Sequence, residues 1–169
     1  MNTYAIRLAT LEDVPLIWEV LQQAIARRKA DGSNQWQDGY PNLEVVTNDI
    51  YKGVGYAATH RDTIVGYVAV LVNDEPEYGH LKGAWLTDTD FVVFHRVAVA
   101  NDYLGKGVAK ALFAFIESYA RQHDIHSIKA DTNYDNAAML HLFHSVGYEY
   151  CGEVYFRGSP RKAFEKVLH

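Results

Sequence analysis

Gly105 and Gly107 flank Lys106 where a segment rich in strand-forming residues leads into an amphipathic segment typical of a helix. Glycine adopts positive φ angles easily and, because it has no Cβ, lets a ligand come close to the backbone. Backbone N–H groups at a helix N-terminus, helped by the helix dipole, attract anions such as phosphate. Lys106 and Lys110 add positive charge nearby. The pattern predicts either a phosphate-binding loop or a glycine turn without a ligand.

The glycine pair does not fit two common nucleotide-binding motifs. A Walker A motif has a glycine five residues before its Gly-Lys pair and Ser or Thr after it, but this chain has Ala100 and Gly107 at those positions. The dinucleotide pattern G-x-G-x-x-G requires a third glycine at the position of Lys110. A nucleotide-binding protein is therefore disfavoured.

His95 lies in the apolar segment that precedes the glycine pair, and it is a candidate general base. An imidazole exchanges protons near neutral pH, which suits removal of a proton from an amine. A histidine in so apolar a strand can also be a buried residue that is hydrogen-bonded to a neighbouring loop. The sequence leaves both interpretations open.

Large aromatic residues occur in two loop segments. Trp36 and Tyr40 follow the first predicted helix, and Trp85 precedes the apolar strand. They could line a pocket for an apolar or cationic ligand, or they could cap the core. Asp131, on a later strand, could supply negative charge for an amine, although an exposed carboxylate is more often only solvated surface.

Hydrophobic periodicity predicts one domain, residues 1–169, with a mixed α/β fold. The apolar run from Phe91 to Val99 is typical of a central strand covered on both faces, and Arg61 and Asp62 mark a hairpin turn. The predicted order β-α-α-β-β-β-α-β-α-β-β gives one sheet of about seven strands with about four helices. The strands are expected at 4–8, 55–60, 63–72, 91–99, 126–132, 148–156 and 162–168, and the helices at 11–28, 43–51, 107–122 and 136–146.

Composition and charge exclude several classes of partner. The net charge of -5 arises from 16 basic and 21 acidic residues without long runs of like charge, which argues against nucleic acid and anionic membranes. Cys151 is the only cysteine, so no internal disulfide forms, and the His123–His126 and His141–His144 pairs lack further metal ligands. No apolar run approaches the roughly 20 residues of a membrane helix. We expect a cytoplasmic protein without a metal.

One known family has a similar order of strand, glycine loop and helix. The acyl-CoA-binding motif of the GNAT superfamily of N-acetyltransferases, Arg/Gln-x-x-Gly-x-Gly/Ala, resembles the run Leu104, Gly105, Lys106, Gly107, Val108 and Ala109 within HRVAVANDYLGKGVAKALFAFIESYA. In that family the backbone N–H groups of the loop hold the pyrophosphate of coenzyme A, so the resemblance implies acetyl-CoA as co-substrate. The first motif position, usually Arg or Gln, is Leu104 here, which removes a side-chain contact but leaves the backbone contacts.

The resemblance covers most of the chain and implies the GNAT fold. The family's opening strand and helix are similar to IRLATLEDVPLI, and segments of its small bacterial members are similar to SNQWQDGYPN, GAWL and HRVAV. The family's last strand-helix-strand unit resembles DTNYDNAAMLHLFHSVGYEYCGEV. In that unit Asn136 matches an asparagine that often contacts the coenzyme A arm.

The resemblance also implies how the thioester carbonyl and the amine are handled. In the family a backbone N–H of the central strand holds the carbonyl oxygen, and the corresponding residues here are Val97 to Val99. The position of the glutamate base of some members is occupied by Val93. His95 is therefore the expected base.

Further residues are needed to protonate the departing thiolate and to bind the acceptor. Many members have a tyrosine on the last helix that acts as the general acid, and this chain has Phe143 at that position. We assign the role to Tyr155, with Tyr148 or solvent as alternatives. The resemblance places the loop of Trp36 and Tyr40 over the acceptor site.

The sequence thus predicts an acetyl-CoA-dependent N-acetyltransferase that transfers acetyl directly to a primary amine of a small molecule or peptide. A non-catalytic acyl-CoA-binding sensor or regulatory module is the alternative, because Leu104 and Phe143 depart from the common pattern. Exposed strand edges near the C-terminus leave a homodimer open. Neither nucleic acid nor a membrane is expected as a partner.

Overall fold

The computed structural model describes residues 3–169, and this part of the chain contains four α-helices and a sheet of eight β-strands. The helices are α1 (Val14–Ala30), α2 (Leu43–Tyr51), α3 (Val108–Gln122) and α4 (Ala137–Ser145). The strands are β1 (Ala5–Leu8), β2 (Gly55–His60), β3 (Thr63–Val72), β4 (Lys82–Gly83), β5 (Val92–Val99), β6 (Ser127–Asn133), β7 (Glu149–Phe156) and β8 (Ser159–Val167). The predicted mixed α/β fold with four helices is confirmed, with one strand more than expected.

The additional strand is β4, which pairs antiparallel with β7 through Lys82–Glu153 and Gly83–Gly152. The two backbones approach so closely that a Cβ on Gly83 would lie 2.1 Å from the carbonyl oxygen of Cys151. A strand of two residues has no alternation of apolar and polar side chains, so hydrophobic periodicity does not reveal it.

The chain forms two compact units. The first contains the residues up to Val70 together with His95–Phe115, and the second contains Leu71–Phe94 and Ile116–His169. Because the unit limits fall within β3, β5 and α3, each of these elements contributes residues to both units.

In the first unit, β1, β2, β3 and the second half of β5 are neighbours in that order. β1 and β2 are antiparallel, and β2 and β3 form the predicted hairpin around Arg61 and Asp62. At the start of α1, the Asp13 carboxylate accepts a hydrogen bond from the Thr10 N–H at 2.8 Å. The buried cluster of this unit includes Ile17, Leu21, Val46, Ala57, Tyr67 and Ala98.

In the second unit, the first half of β5 is followed by β6, β8, β7 and β4. β5 and β6 are parallel, with Val92 opposite Ile128 and Val93 opposite Lys129. β6 and β7 each pair antiparallel with β8. The buried cluster contains Tyr78, Val93, Val154 and Ala163, with the rings of Trp85, Phe91 and Phe156 packed against it.

Candidate functional site

The glycine loop lies between β5 and α3. It follows a short 3-10 helix at Asn101–Tyr103 and ends at Val108, where α3 begins. Gly105 has a φ of +72° and Gly107 a φ of +88°, values that residues with a side chain rarely adopt. At either glycine, a Cβ would have no described atom within 4 Å beyond its chain neighbours. The loop therefore requires both glycines and leaves open space above them, and the preceding Leu104 is also exposed.

The first turn of α3 presents backbone N–H groups beside the loop. The helical hydrogen bonds start with the Ala111 N–H, which donates to the Gly107 carbonyl at 3.0 Å. The N–H groups of Val108, Ala109 and Lys110 come before this bond and have no acceptor in the helix. Because the helix dipole favours negative charge at this end, the loop and the first turn fit a phosphate group.

Side chains of the first unit hold the loop in position. The Tyr4 hydroxyl donates to the Lys106 carbonyl at 2.7 Å. The Tyr103 hydroxyl and the Nδ1 atom of His60 are hydrogen-bonded at 2.8 Å. The Lys106 ammonium lies 5.5 Å from the centre of the Tyr103 ring. These contacts fix the conformation of the loop, and a fixed loop lowers the ordering cost of binding.

The middle of β5 differs from the expected strand. Val93 and Ala98 are buried, but His95 and Val97 are only half-buried. Arg96 has a φ of +60°, a left-handed conformation that is uncommon for a residue with a side chain. A residue of this kind bends a strand and redirects its side chains. The expectation of a strand covered on both faces throughout is therefore wrong at its centre.

Arg96 is the residue that the sequence reasoning missed. Its Nε and Nη2 atoms donate to the Asp49 carboxylate at 2.9 and 2.6 Å, and its Nη1 atom donates to the Tyr40 hydroxyl at 2.5 Å. The Tyr67 hydroxyl also donates to Asp49, at 2.7 Å, and burial, with Asp49 beside it, raises the pKa of Tyr67 far above its usual range. An arginine inside an apolar strand was the one sequence signal for such a buried ion pair.

Trp36 and Tyr40 both lie in the loop between α1 and α2. Tyr40 is joined through its hydroxyl to Arg96, the residue after His95. Trp36 packs against the buried cluster of the first unit. Tyr40 is therefore tied to the centre of β5, whereas Trp36 also covers the core, which was the alternative interpretation.

In the second unit, Trp85 and Asp131 are linked through Tyr78. The indole N–H of Trp85 donates to the Tyr78 carbonyl at 2.9 Å, and the Tyr78 hydroxyl donates to the Asp131 carboxylate at 2.6 Å. Burial, with Asp131 next in importance, raises the pKa of Tyr78 well above its usual range. An Arg161 nitrogen lies 3.8 Å from Asp131. An amine at Asp131 would have to compete with these two partners.

Tyr155 and Asn136 also have partners within the second unit. The Tyr155 side chain is exposed on β7, and its hydroxyl donates to Glu153 at 2.5 Å. This hydrogen bond raises the pKa of Tyr155 above its usual value. Asn136 is the N-cap of α4, and its Oδ1 atom accepts from the Met139 N–H at 3.2 Å. Tyr148, the alternative acid, is buried.

A cavity of about 510 Å³ opens in the second unit, lined by Trp85, Leu86, Thr87, Asp88, Thr89, Phe91 and Lys129. The Lys129 ammonium lies 4.4 Å from the centre of the Trp85 ring and 4.3 Å from that of Phe91. Burial lowers the pKa of this ammonium. Trp85 therefore lines a cavity, as a pocket residue should, but its ring already faces a cation of the protein itself.

Within residues 3–169, the histidine, cysteine and acidic side chains form no group of three or more that is placed to hold a metal ion. The same residues include no helix with both the length and the apolar character needed to cross a membrane.

The fold is mixed α/β with an open glycine loop at a helix N-terminus, and comparisons with known proteins identify its family. The Acetyltransferase (GNAT) family is matched by residues 18–148. A GNAT-family acetyltransferase of Streptococcus agalactiae is 32% identical, with 98% of this chain and 96% of that chain covered and a TM-score of 0.89. The chain belongs to the GNAT family of acetyltransferases.

Two further proteins are similar at lower identity. The paia N-acetyltransferase of Thermoplasma acidophilum, solved in complex with coenzyme A, is 15% identical with 98% of this chain and 99% of that chain covered, and its TM-score of 0.72 shows the same fold. N-acetyltransferase 8B of Homo sapiens is 27% identical over 114 residues, or 68% of this chain and 46% of the human protein. The similarity thus spans less than half of the human relative.

Proposed function

We propose that this protein is an acetyl-CoA-dependent N-acetyltransferase that transfers acetyl directly to a primary amine of a small molecule or peptide. The proposal is carried by the loop at 104–109, where two glycines at positive φ leave the backbone open beside the first turn of α3. Membership of the acetyltransferase family supports the transferred group. The human and Thermoplasma relatives are N-acetyltransferases, which supports nitrogen as the acceptor atom.

The loop residues fit the pyrophosphate of coenzyme A. The backbone N–H groups of Gly105, Gly107, Val108 and Ala109 are the proposed donors, and the Lys106 ammonium adds positive charge. The Lys106 N–H is not among them, because it donates to the Tyr103 carbonyl at 3.2 Å. Leu104 has no donor in its side chain and its N–H donates to the Asn101 carbonyl at 3.3 Å, so no contact with the pyrophosphate is proposed at that position. Asn136 is the residue proposed to contact the coenzyme A arm.

The proposed reaction needs a donor to the carbonyl, a base and an acid. Bound acetyl-CoA supplies acetyl as an activated thioester. The backbone N–H groups at Val97 and Val99 would hold the carbonyl oxygen, and His95 would take a proton from the amine as the N–C bond forms. Tyr155 would protonate the thiolate as the C–S bond breaks; the hydrogen bond to Glu153 raises its pKa, so the hydroxyl has to leave Glu153 to act as the acid.

The proposed acceptor site includes Tyr40 and Trp36, with Trp85 and Asp131 as further candidates. Tyr40 has the strongest structural support, because its hydroxyl is bonded to the residue that follows His95. Aromatic side chains such as Tyr40 and Trp36 suit an apolar or cationic amine.

Calorimetric titration of acetyl-CoA, coenzyme A and ATP tests the first part of the proposal. We expect acetyl-CoA and coenzyme A to bind the unmodified protein much more tightly than ATP, and Gly107→Glu to abolish their binding by filling and charging the loop. Gly53→Glu is the matched control, since Gly53 is also exposed, with a φ of +72° and open space around a Cβ. It adds the same charge at a similarly strained position outside the loop.

A panel of polyamines, amino acids and short peptides tests the second part, with release of the coenzyme A thiol as the signal. Turnover that is lost in His95→Ala supports an N-acetyltransferase with that base. Tight binding of acetyl-CoA without turnover of any amine would favour the non-catalytic sensor instead. Equal binding of acetyl-CoA by Gly107→Glu and the unmodified protein would rule out the loop as its site.

A further inference from the structure

Arg96 has a left-handed backbone conformation within β5, and something in the structure must stabilise it. Apart from Arg96, the residues with a side chain and a positive φ lie outside the strands in the described part of the chain. Such a conformation is unfavourable for a residue with a side chain, and it persists only where the surroundings hold it. Arg96 directly precedes Val97, so its conformation sets the direction of the Val97 N–H group.

The Arg96 guanidinium is held on two sides. Two parallel hydrogen bonds to Asp49, at 2.9 and 2.6 Å, form the bidentate geometry that makes arginine-carboxylate pairs specific in direction. The third bond, at 2.5 Å, goes to the Tyr40 hydroxyl. The Arg96 and Asp49 side chains are only 10% and 7% exposed, so water competes little for these bonds.

A further hydrogen bond holds the Asp49 carboxylate in place. Asp49 lies on α2 and accepts a hydrogen bond of 2.7 Å from the hydroxyl of the fully buried Tyr67. Tyr67 lies on β3, and a Cβ on Gly55 of β2 would come within 2.7 Å of its hydroxyl oxygen. The carboxylate therefore connects Arg96 to the buried Tyr67 of β3 and to α2.

We infer that Arg96 and Asp49 are positioning residues for acetyl transfer, an inference that rests on the proposed function. The Arg96 guanidinium has two effects. It fixes the backbone conformation before Val97, where the thioester carbonyl is to be held. It also fixes the position of Tyr40, which is to contact the acceptor amine. Neither residue touches the reacting atoms. Their role is to keep the two reactants at a fixed separation, and small errors in such a separation reduce the rate strongly.

Substitution of Arg96 by glycine distinguishes the role of its side chain from the role of its backbone conformation. Arg96→Gly removes all three hydrogen bonds but adopts a φ of +60° without strain. Arg61→Gly is the matched control: Arg61 is exposed, has a φ of +57° and lies in the turn between β2 and β3. Asp49→Asn keeps the shape of the carboxylate and removes its charge. Arg96→Lys keeps the positive charge but offers no fork to reach Asp49 and Tyr40 together.

Two measurements test the effect of these substitutions on acetyl transfer. With a turned-over amine, we expect Arg96→Gly and Asp49→Asn to lower kcat by about 10- to 100-fold while the Kd of acetyl-CoA stays within about twofold. With acetyl-CoA labelled at the carbonyl carbon, the infrared carbonyl band should shift down on binding to the unmodified protein and to Arg61→Gly. This shift, which reports the hydrogen bond to the carbonyl, should be reduced in Arg96→Gly and Asp49→Asn.

The outcomes separate this inference from the proposed function. An unchanged kcat and an unchanged carbonyl band in Arg96→Gly would overturn the positioning role and leave the proposed function standing. Failure of the unmodified protein to bind acetyl-CoA would overturn both. If Arg96→Gly does not fold, Arg96→Lys decides: a reduced carbonyl shift with retained near-ultraviolet circular dichroism supports the role, and a full shift overturns it.

Discussion

The hydroxyl of Tyr4 donates a hydrogen bond of 2.7 Å to the carbonyl oxygen of Lys106, a residue 102 positions away in the sequence. Because a peptide group is planar, this bond also fixes the direction of the Gly107 N–H group. The ring of Tyr4 is held in turn by edge contacts with His60 and Tyr103, whose ring centres lie at 5.9 and 6.3 Å. The segment that leads into the first strand thus shapes the loop proposed to bind coenzyme A.

Tyr4→Phe should therefore weaken the binding of acetyl-CoA without unfolding the protein. A neutral hydrogen bond contributes about 0.5–1.5 kcal/mol, which corresponds to a rise in Kd of about two- to tenfold. Titration calorimetry measures the change. Tyr51→Phe is the matched control, because Tyr51 is 73% exposed and lies on α2. Equal Kd values for Tyr4→Phe and Tyr51→Phe would show that the Tyr4 hydroxyl does not shape the loop.

Asp13 should make folding stability depend on pH in the acidic range. Its carboxylate accepts hydrogen bonds from both terminal nitrogens of Arg7, at 2.7 and 2.9 Å. The Arg7 hydrogen bond is the largest cause that lowers the pKa of Asp13 from 3.8 to about 2. Since the pKa is lower in the folded than in the unfolded protein, this stabilisation is complete above about pH 5 and is lost as the pH falls through about 2.

Asp13→Asn measures this contribution. After a discount for the half-exposed Arg7, we expect Asp13→Asn to reduce the free energy of unfolding by about 1–2 kcal/mol at pH 6. The difference from the unmodified protein should shrink towards zero below about pH 2. Urea unfolding followed by circular dichroism between these pH values tests it, with Glu12→Gln as the neighbouring exposed control. A difference that is the same at every pH would mean that the charge of Asp13 is not its cause.

The sequence alone was sufficient to predict elements whose buried residues recur with a fixed period. α2 was predicted with its observed limits, Leu43–Tyr51, and the hairpin turn at Arg61 and Asp62 was predicted from turn residues between two apolar runs. The positive φ angles of the glycine loop followed from the residue type, because glycine accepts them at little cost. The positive φ angles at Gly105 and Gly107 were therefore predictable, whereas the contacts of Tyr4 and Tyr103 that hold the loop were not.

Features that depend on contacts between distant residues were not predictable. Arg96 and Asp49 are 47 positions apart, and neither residue type signals the other. The left-handed φ of Arg96 opposes its own backbone preference and exists because tertiary hydrogen bonds hold the side chain. The partners of Asp131 and Tyr155 were missed for the same reason, since a lone carboxylate or hydroxyl in a strand gives no indication of what it bonds to.

Cys151 should be unreactive in the folded protein. It is buried, and burial together with the nearby Glu165 carboxylate raises the pKa of its thiol to about 11. At pH 8 the thiolate population should fall by about 100-fold relative to a free cysteine, so native protein should react with Ellman's reagent at least that much more slowly. The protein unfolded in guanidinium chloride should react rapidly. Rapid reaction of the native protein would show that Cys151 is accessible, and the thiol-release assay would then require a Cys151→Ser background.

Glu165→Gln should strongly destabilise the folded protein. Glu165 is fully buried on β8 and accepts hydrogen bonds from the Leu86 N–H at 2.7 Å, the Thr87 hydroxyl at 2.5 Å and the Ser127 hydroxyl at 2.7 Å. It also stands opposite Lys129 in the sheet register. Glu165→Gln replaces an oxygen surrounded by donors with an NH₂ group and removes the anion facing Lys129. We expect a loss of about 3 kcal/mol in the free energy of unfolding, because both the donors and the cation remain buried.

Urea unfolding at neutral pH measures that loss, and two variants identify its cause. Glu149→Gln is the control, since Glu149 is exposed on β7 opposite Glu165, and it should change the stability by less than about 0.5 kcal/mol. Thr87→Val removes only one donor and should cost about 1 kcal/mol. If Glu165→Gln unfolds at the same urea concentration as the unmodified protein, the hydrogen bonds to Leu86 and Thr87 do not anchor that segment to the sheet. The position of Trp85 in its cavity must then depend on its hydrogen bond to the Tyr78 carbonyl and on its ring contacts with Tyr78 and Lys129.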